Sequence, residues 1–337
     1  MQGNTAVVHV ELGDRGYPVL VGSGVLDELA SLVPPGVQRV AVVTQDSINV
    51  GVDPGVEHRL FLIDEGEPAK SLSTVEDLCR AWAQWGLTRG DVVVAVGGGL
   101  VTDVGGFAAS VYHRGIPFIS VATTLVGQID AAIGGKTGVN LAVGKNLVGT
   151  FWQPTAVVCD TDVLATLPER EWRCGFGEMA KYELLGAGNL RELTLQEQIV
   201  HCVQMKATVV AADEREGGGR AVLNYGHTLA HALEVSGSFD LRHGEAVAVG
   251  LVYAAEVARR LDRIDRDRVE EHRNVVGHYE LNDRLPPGTD IDRTLELFAH
   301  DKKAVLGITL VLDGPDGFEP VVAPDETLLR AALEALS

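Results

Sequence analysis

The stretch whose reading decides the fold is Asp91–Gly115, DVVVAVGGGLVTDVGGFAASVYHRG. A run of β-branched residues climbs as a strand into Gly97, Gly98 and Gly99, and helix-forming residues follow. That is the βα rhythm of a parallel sheet with helices on its faces. Glycines at such a turn remove side chains and let backbone amides approach a pyrophosphate near a helix N-terminus. Asp103 falls within the first turns of that helix. The spacing is not GxGxxG, and a tight turn without a ligand is the competing reading.

Working outward, the same rhythm fills the first third of the chain. AVVHVEL and YPVLVG read as a paired strand unit, RVAVVT from Arg39 and RLFLID from Arg59 as strands, and the segment from Ser73 to Trp85 as a helix. Downstream, a strand in PFISVATT ends at Thr123 and Thr124, whose hydroxyls suit a ribose or phosphate. Asp130 sits in an apolar, small-residue segment, where a carboxylate is costly unless paired or used. Two glycine-rich turns then carry Lys136 and Lys145, with Asn146 beside the second. Glycine, lysine and threonine together make a phosphate cradle, although GGKTG lacks the upstream glycine of a P-loop.

From Arg170 onward helix-forming runs dominate, which predicts an α/β domain over residues 1–165 and a mainly α-helical domain over 166–337. In GFGEMAKYELL, Glu178 and Lys181 stand three apart on one helix face, and small apolar neighbours tilt the pair toward burial. Lys206 follows on a helix. The segment from Arg220 to Glu245, RAVLNYGHTLAHALEVSGSFDLRHGE, gathers His227, His231 and His243, with Arg220 and Asn224 just upstream. A helix over Leu223–Glu234 places His227 and His231 on one face, where two imidazoles can share a metal ion and a third ligand comes from elsewhere. Spacing alone leaves open whether His231 or His243 is the second ligand, and an i,i+4 pair can also simply hydrogen-bond within a core. FAHDKKAVLG ends a helix at Asp301, Lys302 and Lys303 ahead of a short strand, and DETLLRAALEALS closes the chain as a helix.

A length of 337 residues, with 46% hydrophobic and 22% charged, suits a soluble globular protein of two domains. No apolar run is long enough to cross a bilayer and no signal-type segment opens the sequence, so a cytoplasmic location is expected. Four scattered cysteines fit a reducing compartment. A net charge of −19 argues against nucleic acid and demands a local basic pocket for any anionic substrate. Of 28 basic residues only seven are lysine (70, 136, 145, 181, 206, 302 and 303), which points to lysine being kept where a compact ammonium is needed.

The blocks GGGLVTDVGGFAASVYHRG, TTLVGQIDAAIGGKTGVN, GKNLVGTFWQP, TLPERE, GEMAKY, ADEREGG, LNYGHTLAHALE, RHGEAVAVG and HDKK occur in order over nearly the whole chain. Together they resemble the signature blocks of the 3-dehydroquinate synthase family of sugar phosphate cyclases. The resemblance implies an N-terminal α/β NAD-binding domain, a helical C-terminal domain and a metal-bearing cleft between them. It implies a divalent ion, most simply Zn2+ with Co2+ as a substitute, on Glu178, His227 and His243, leaving His231 for substrate. NAD is expected over Gly97, Gly98, Gly99 and Asp103, with Thr123, Thr124, Lys145, Glu67, Lys70 and Thr166 nearby. The anionic sugar phosphate is expected on Asp130, Lys136, Asn146, Lys181, Lys206, Arg220, Asn224, His231 and Lys302, with Arg114 reaching its phosphate across a homodimer interface.

The implied reaction converts 3-deoxy-arabino-heptulosonate 7-phosphate to 3-dehydroquinate by transient oxidation, phosphate elimination, re-reduction and intramolecular aldol closure. Two departures stand out: the stretch between Lys181 and Lys206 is short for the family, and Ala122 replaces a usual proline. Both hint at a subfamily, and the aminodehydroquinate synthases, whose substrate carries nitrogen for one oxygen, are the close alternative. GGKTGVN speaks against the valiolone and inosose cyclases. Two further readings are an NAD- and metal-dependent polyol dehydrogenase, which would accumulate NADH, and a zinc-stabilised binding protein without catalysis.

Overall fold

Val92 to Gly97 are buried at every position and form a strand inside a seven-stranded sheet. The computed structural model describes residues 5–236, 241–299, 308–323 and 325–337. The chain divides into two units, one of Met1–Pro168 with Leu193–Arg215 and the other of Glu169–Glu192 with Glu216–Ser337.

In the first unit the elements run β1 (Ala6–Val10), β2 (Tyr17–Gly22), α1 (Leu29–Leu32), β3 (Arg39–Thr44), β4 (Glu57–Leu62), α2 (Leu72–Trp85), β5 (Val92–Gly97), α3 (Gly99–Val111) and β6 (Phe118–Ala122). The hairpin β7 (Lys136–Leu141) and β8 (Gly144–Phe151) and then β9 (Ala156–Asp160) follow. The sheet order is β1-β2-β9-β6-β5-β3-β4, with β1 antiparallel to β2 and every other neighbouring pair parallel.

Successive residues of β5 point to opposite faces, and both faces are covered. Val93 and Ala95 pack with Phe107 and Trp82 on one side, whereas Val92, Val94 and Val96 pack with Leu20 and Ile119 on the other. Helix α2 starts where the Ser71 hydroxyl accepts from the Thr74 amide and stops at Gly86 with φ 80°.

The second unit holds α4 (Glu169–Tyr182), α6 (His227–Ser236), α7 (His243–Arg260), α8 (Arg266–His278), α9 (Ile291–Ala299), the hairpin β10 (Thr309–Leu312) and β11 (Glu319–Val322), and α10 (Glu326–Glu334). Helix α7 is apolar nearly all round and packs against α4, α6, α8 and α10. It is the core of this unit.

Two expectations are corrected. The chain does not split once near residue 165, because α5 (Leu195–Ala212) returns to the first unit. Its apolar face, with Ile199, Cys202, Val203 and Val210 buried, covers β1 and β2, and Gln196 Nε2 donates to the Val21 carbonyl at 3.4 Å. Nor does one helix run from Leu223 to Glu234. Residues Gly219–Asn224 form a 3-10 segment, Gly226 takes φ 79°, and α6 begins only at His227. Lys302 and Lys303 lie outside the described residues. Among those described, no helix is long and apolar enough to cross a membrane.

Candidate active site

Three helices of the second unit bring Glu178, His227 and His243 to one point. Glu178 lies on α4, His227 opens α6 and His243 opens α7, and the three donor atoms lie within 4.8 Å of one another. Glu178 Oε1 stands 3.0 Å from His243 Nε2 and 3.4 Å from His227 Nε2. The remote ring nitrogens are also engaged, His227 Nδ1 with the Tyr225 carbonyl at 3.0 Å and His243 Nδ1 with Glu234 Oε2 at 3.3 Å. Both imidazoles therefore turn Nε2 toward the same carboxylate.

Glycines make this convergence possible. A Cβ on Gly177 would stand 2.0 Å from the Gly244 carbonyl oxygen, and one on Gly250 would stand 1.9 Å from that of Gly226. Helices α4 and α7 thus meet backbone to backbone beside Glu178 and His243. The residue before His227 abuts α7 in the same way.

The electrostatics suit a cation. Burial alone would push the Glu178 carboxyl up, but Lys181 and His227, with hydrogen bonds from both imidazoles, hold it well below the usual carboxylate range. Its Oε2 is buried against the Lys181 ammonium, an ion pair at 2.5 Å. Burial opposes charge on His243, yet its bonds to Glu178 and Glu234 lift it to about 10. A cation held here would have to displace that proton. A carboxylate and two imidazoles with an open position are a donor set for a catalytic divalent metal.

His231, one turn along α6, is exposed, and its ring centroid lies 5.5 Å from that of His227 and 6.4 Å from that of His243. It borders the cluster without joining it. Arg220 is buried in the 3-10 segment, and Asn224 Nδ2 donates to Glu216 Oε1 at 2.7 Å.

The first unit carries the glycine turn. A Cβ on Gly97 would meet the Val101 side chain at 2.4 Å, and one on Gly98 would meet Thr124 Cγ2 at 2.9 Å, so β5 passes into α3 with bare backbone. Gly99 is the first residue of α3. Asp103 pairs with Lys70 Nζ at 2.5 Å. The Thr123 amide donates to the Gly97 carbonyl, and the Thr124 hydroxyl accepts at 3.0 Å from the amide of Gly127, the first residue of the π-helical turn Gly127–Ala131 that contains Asp130. Lys206 on α5 is buried, donates to the Asp130 carbonyl at 2.6 Å and pairs with its carboxylate. Lys206 thus belongs with Asp130, in the first unit.

The β7–β8 hairpin presents Lys136, Lys145 and Asn146, all exposed. Asn140 ties this hairpin to the Glu67–Lys70 turn. Its Nδ2 donates to Glu67 Oε1 at 2.6 Å, its amide donates to the Lys70 carbonyl at 2.9 Å, and its Oδ1 accepts from the Asn146 amide at 2.8 Å.

The family models for the N-terminal and C-terminal parts of 3-dehydroquinate synthase match residues 60–174 and 175–304. A protein of Amycolatopsis mediterranei (strain S699), provisionally named an aminodehydroquinate synthase, is 50% identical over 315 residues, covering 93% of this chain and 90% of its own. The 3-dehydroquinate synthase of Thermobifida fusca (strain YX) is 39% identical, covering 95% of this chain and 94% of its own. This chain belongs to the 3-dehydroquinate synthase family. A solved structure of 2-deoxy-scyllo-inosose synthase with carbaglucose-6-phosphate, NAD+ and Co2+ superposes with a TM-score of 0.88 at 27% identity, covering 98% of this chain and all of that one. The chain is therefore an enzyme of the dehydroquinate synthase-like sugar phosphate cyclases, with their fold.

Two further expected residues lie in the first unit. Arg114 is exposed on a 3-10 turn with φ 64°, and the exposed Thr166 turns its hydroxyl back to the Val163 carbonyl. Glu216, Glu234 and Asn140 escaped sequence reasoning. Each is an ordinary polar residue whose only signal is its partner in space.

Proposed function

We propose that this cyclase closes a 3-deoxy-arabino-heptulosonate 7-phosphate into 3-dehydroquinate with release of phosphate, using NAD and a divalent cation. The observation that carries the reading is the meeting of Glu178 Oε1 with two Nε2 atoms from separate helices. Glu178, His227 and His243 would hold Zn2+ or Co2+, and Gly97, Gly98 and Gly99 leave the backbone bare for the pyrophosphate of NAD. When bound, the cation supplies polarisation of a substrate hydroxyl and NAD supplies reversible hydride transfer.

The chain's own residues do the positioning. Lys136, Lys206 and Arg220 supply the positive charge that a doubly anionic substrate needs against a net charge of −19. Lys206 is already desolvated beside Asp130, so an incoming anion competes with its protein partners rather than with bulk water. Lys181, paired with Glu178 in the second unit, is also almost fully buried, so its charge would act on an anion with little screening by water. Arg114, exposed on its turn, would complete the phosphate site of a second copy in a homodimer.

A second reading has one observation behind it. The identity of 50% to the Amycolatopsis protein exceeds the 39% to the Thermobifida enzyme, which favours an amino analogue of the heptulosonate phosphate as substrate. Side-by-side assays of both substrates with NAD and Co2+, following phosphate and NADH, test the proposal. Phosphate release without net NADH supports cyclisation, and the faster substrate names the branch. Net NADH from a polyol, with no phosphate released from either compound, would overturn it.

A further inference from the structure

The two imidazoles that face Glu178 are held from behind by different groups. His227 Nδ1 meets a backbone carbonyl, that of Tyr225, whose hydroxyl is in turn 2.8 Å from His272 Nε2. His243 Nδ1 meets a carboxylate, Glu234 Oε2, at 3.3 Å. Glu234 lies on α6, the helix that starts with His227, whereas His243 starts α7. Helix α6 thus supplies one imidazole directly and grips the other through Glu234.

We infer that Glu234 is a positioning residue of the metal centre. It fixes the His243 ring so that Nε2 faces the Glu178 carboxylate, and its charge makes that ring a stronger donor to a cation. The Glu234 carboxylate places negative charge directly behind the His243 ring, which favours a cation at its Nε2 side. The His227 side receives no such field, because a carbonyl fixes its ring without adding charge. The inference rests on the reading of Glu178, His227 and His243 as metal-holding residues.

The test uses the full chain freed of metal and titrated with Co2+ against a competing chelator, with visible absorption recorded. Variants are Glu234→Ala, Glu234→Gln and Glu178→Ala. The Ala variant at 234 should bind Co2+ about 10- to 100-fold more weakly, with altered Co2+ bands. The Gln variant, which keeps an acceptor for Nδ1–H and loses the charge, should fall between it and the native chain. Native affinity and native bands in both 234 variants would overturn the inference, and the near-isosteric Gln variant decides the matter alone should the Ala variant not fold. If Glu178→Ala binds Co2+ as tightly as the native chain, the metal reading fails and takes this inference with it. If Glu178→Ala loses Co2+ while both 234 variants keep it, only the role of Glu234 fails.

Discussion

A Cβ on Gly244 would stand 1.8 Å from the carbonyl oxygen of Cys174. Helices α4 and α7 can approach this closely only because Gly244 has no side chain, and His243 and Glu178 lie beside the contact. Alanine normally strengthens a helix interior by up to about 1 kcal/mol relative to glycine. Here overpacking, of about 1–3 kcal/mol or more, should win. Gly244→Ala is expected to lower the melting temperature and to weaken Co2+ binding at least about tenfold. Gly277→Ala on α8, where nothing lies within 4 Å of the added methyl, is the control and should be neutral or stabilising. Native metal affinity in Gly244→Ala would show that the backbone contact does not set the ligand geometry.

Glu178 and Lys181 are an ion pair with side chains 0% and 1% exposed. Removing only the carboxylate takes away the charged partner 2.5 Å from this buried ammonium, so Glu178→Ala should cost about 3–5 kcal/mol in the metal-free chain. Adding Lys181→Met should recover much of that loss while leaving the chain inactive. Denaturant midpoints of the two variants decide it, and equal stability would refute the pairing argument.

His272 is fully buried, with Nδ1 2.7 Å from the Arg268 carbonyl and Nε2 2.8 Å from the Tyr225 hydroxyl. The carbonyl can only accept, so Nδ1 carries the proton and Nε2 accepts from Tyr225. Burial first, and the Arg268 charge with it, pushes the imidazole down to about 4 from an ordinary 6.5. The unfolded chain therefore binds a proton between these values that the folded chain refuses. Its contribution is fully present above pH 6.5 and is lost as the pH falls toward 4, by roughly 3 kcal/mol. Urea midpoints of the native chain and of His272→Gln across pH 4–7 should show a steeper decline in the native chain. Parallel declines would remove His272 as the cause.

Arg114 is exposed, in a left-handed backbone conformation. If it serves a neighbouring subunit, Arg114→Ala should weaken binding of the substrate phosphate and lose activity. Mixing that variant with His243→Ala, inactive at its own metal site, should then restore roughly a quarter of the native sites, because half of random dimers carry one complete site. Activity of the mixture no higher than the sum of its parts would confine Arg114 to its own chain.

Local signals made much of the fold legible. The unbroken apolar run before Gly97–Gly99 marks a doubly covered strand, and α2 begins and ends within a residue of what its sequence indicates. The same signals misjudged α6, since the residues from Leu223 are good helix formers and only the abutment of Gly226 on Gly250 explains why the helix waits for His227. They also misassigned α5, whose apolar face reads the same whichever sheet or bundle it covers. Spacing left His231 and His243 as equal candidates, although His231 borders the cluster and His243 joins it.

The sequence by itself determined the βα rhythm, the helical second half and the residue types of the site, because periodicity and turn chemistry act over a few neighbouring residues. Tertiary structure alone decided which imidazole meets Glu178, 65 residues away, which unit takes α5 and Lys206, and that Glu234 stands behind His243. Those relations depend on how closely separate helices approach, and that distance is set by glycine contacts whose partners lie far along the chain.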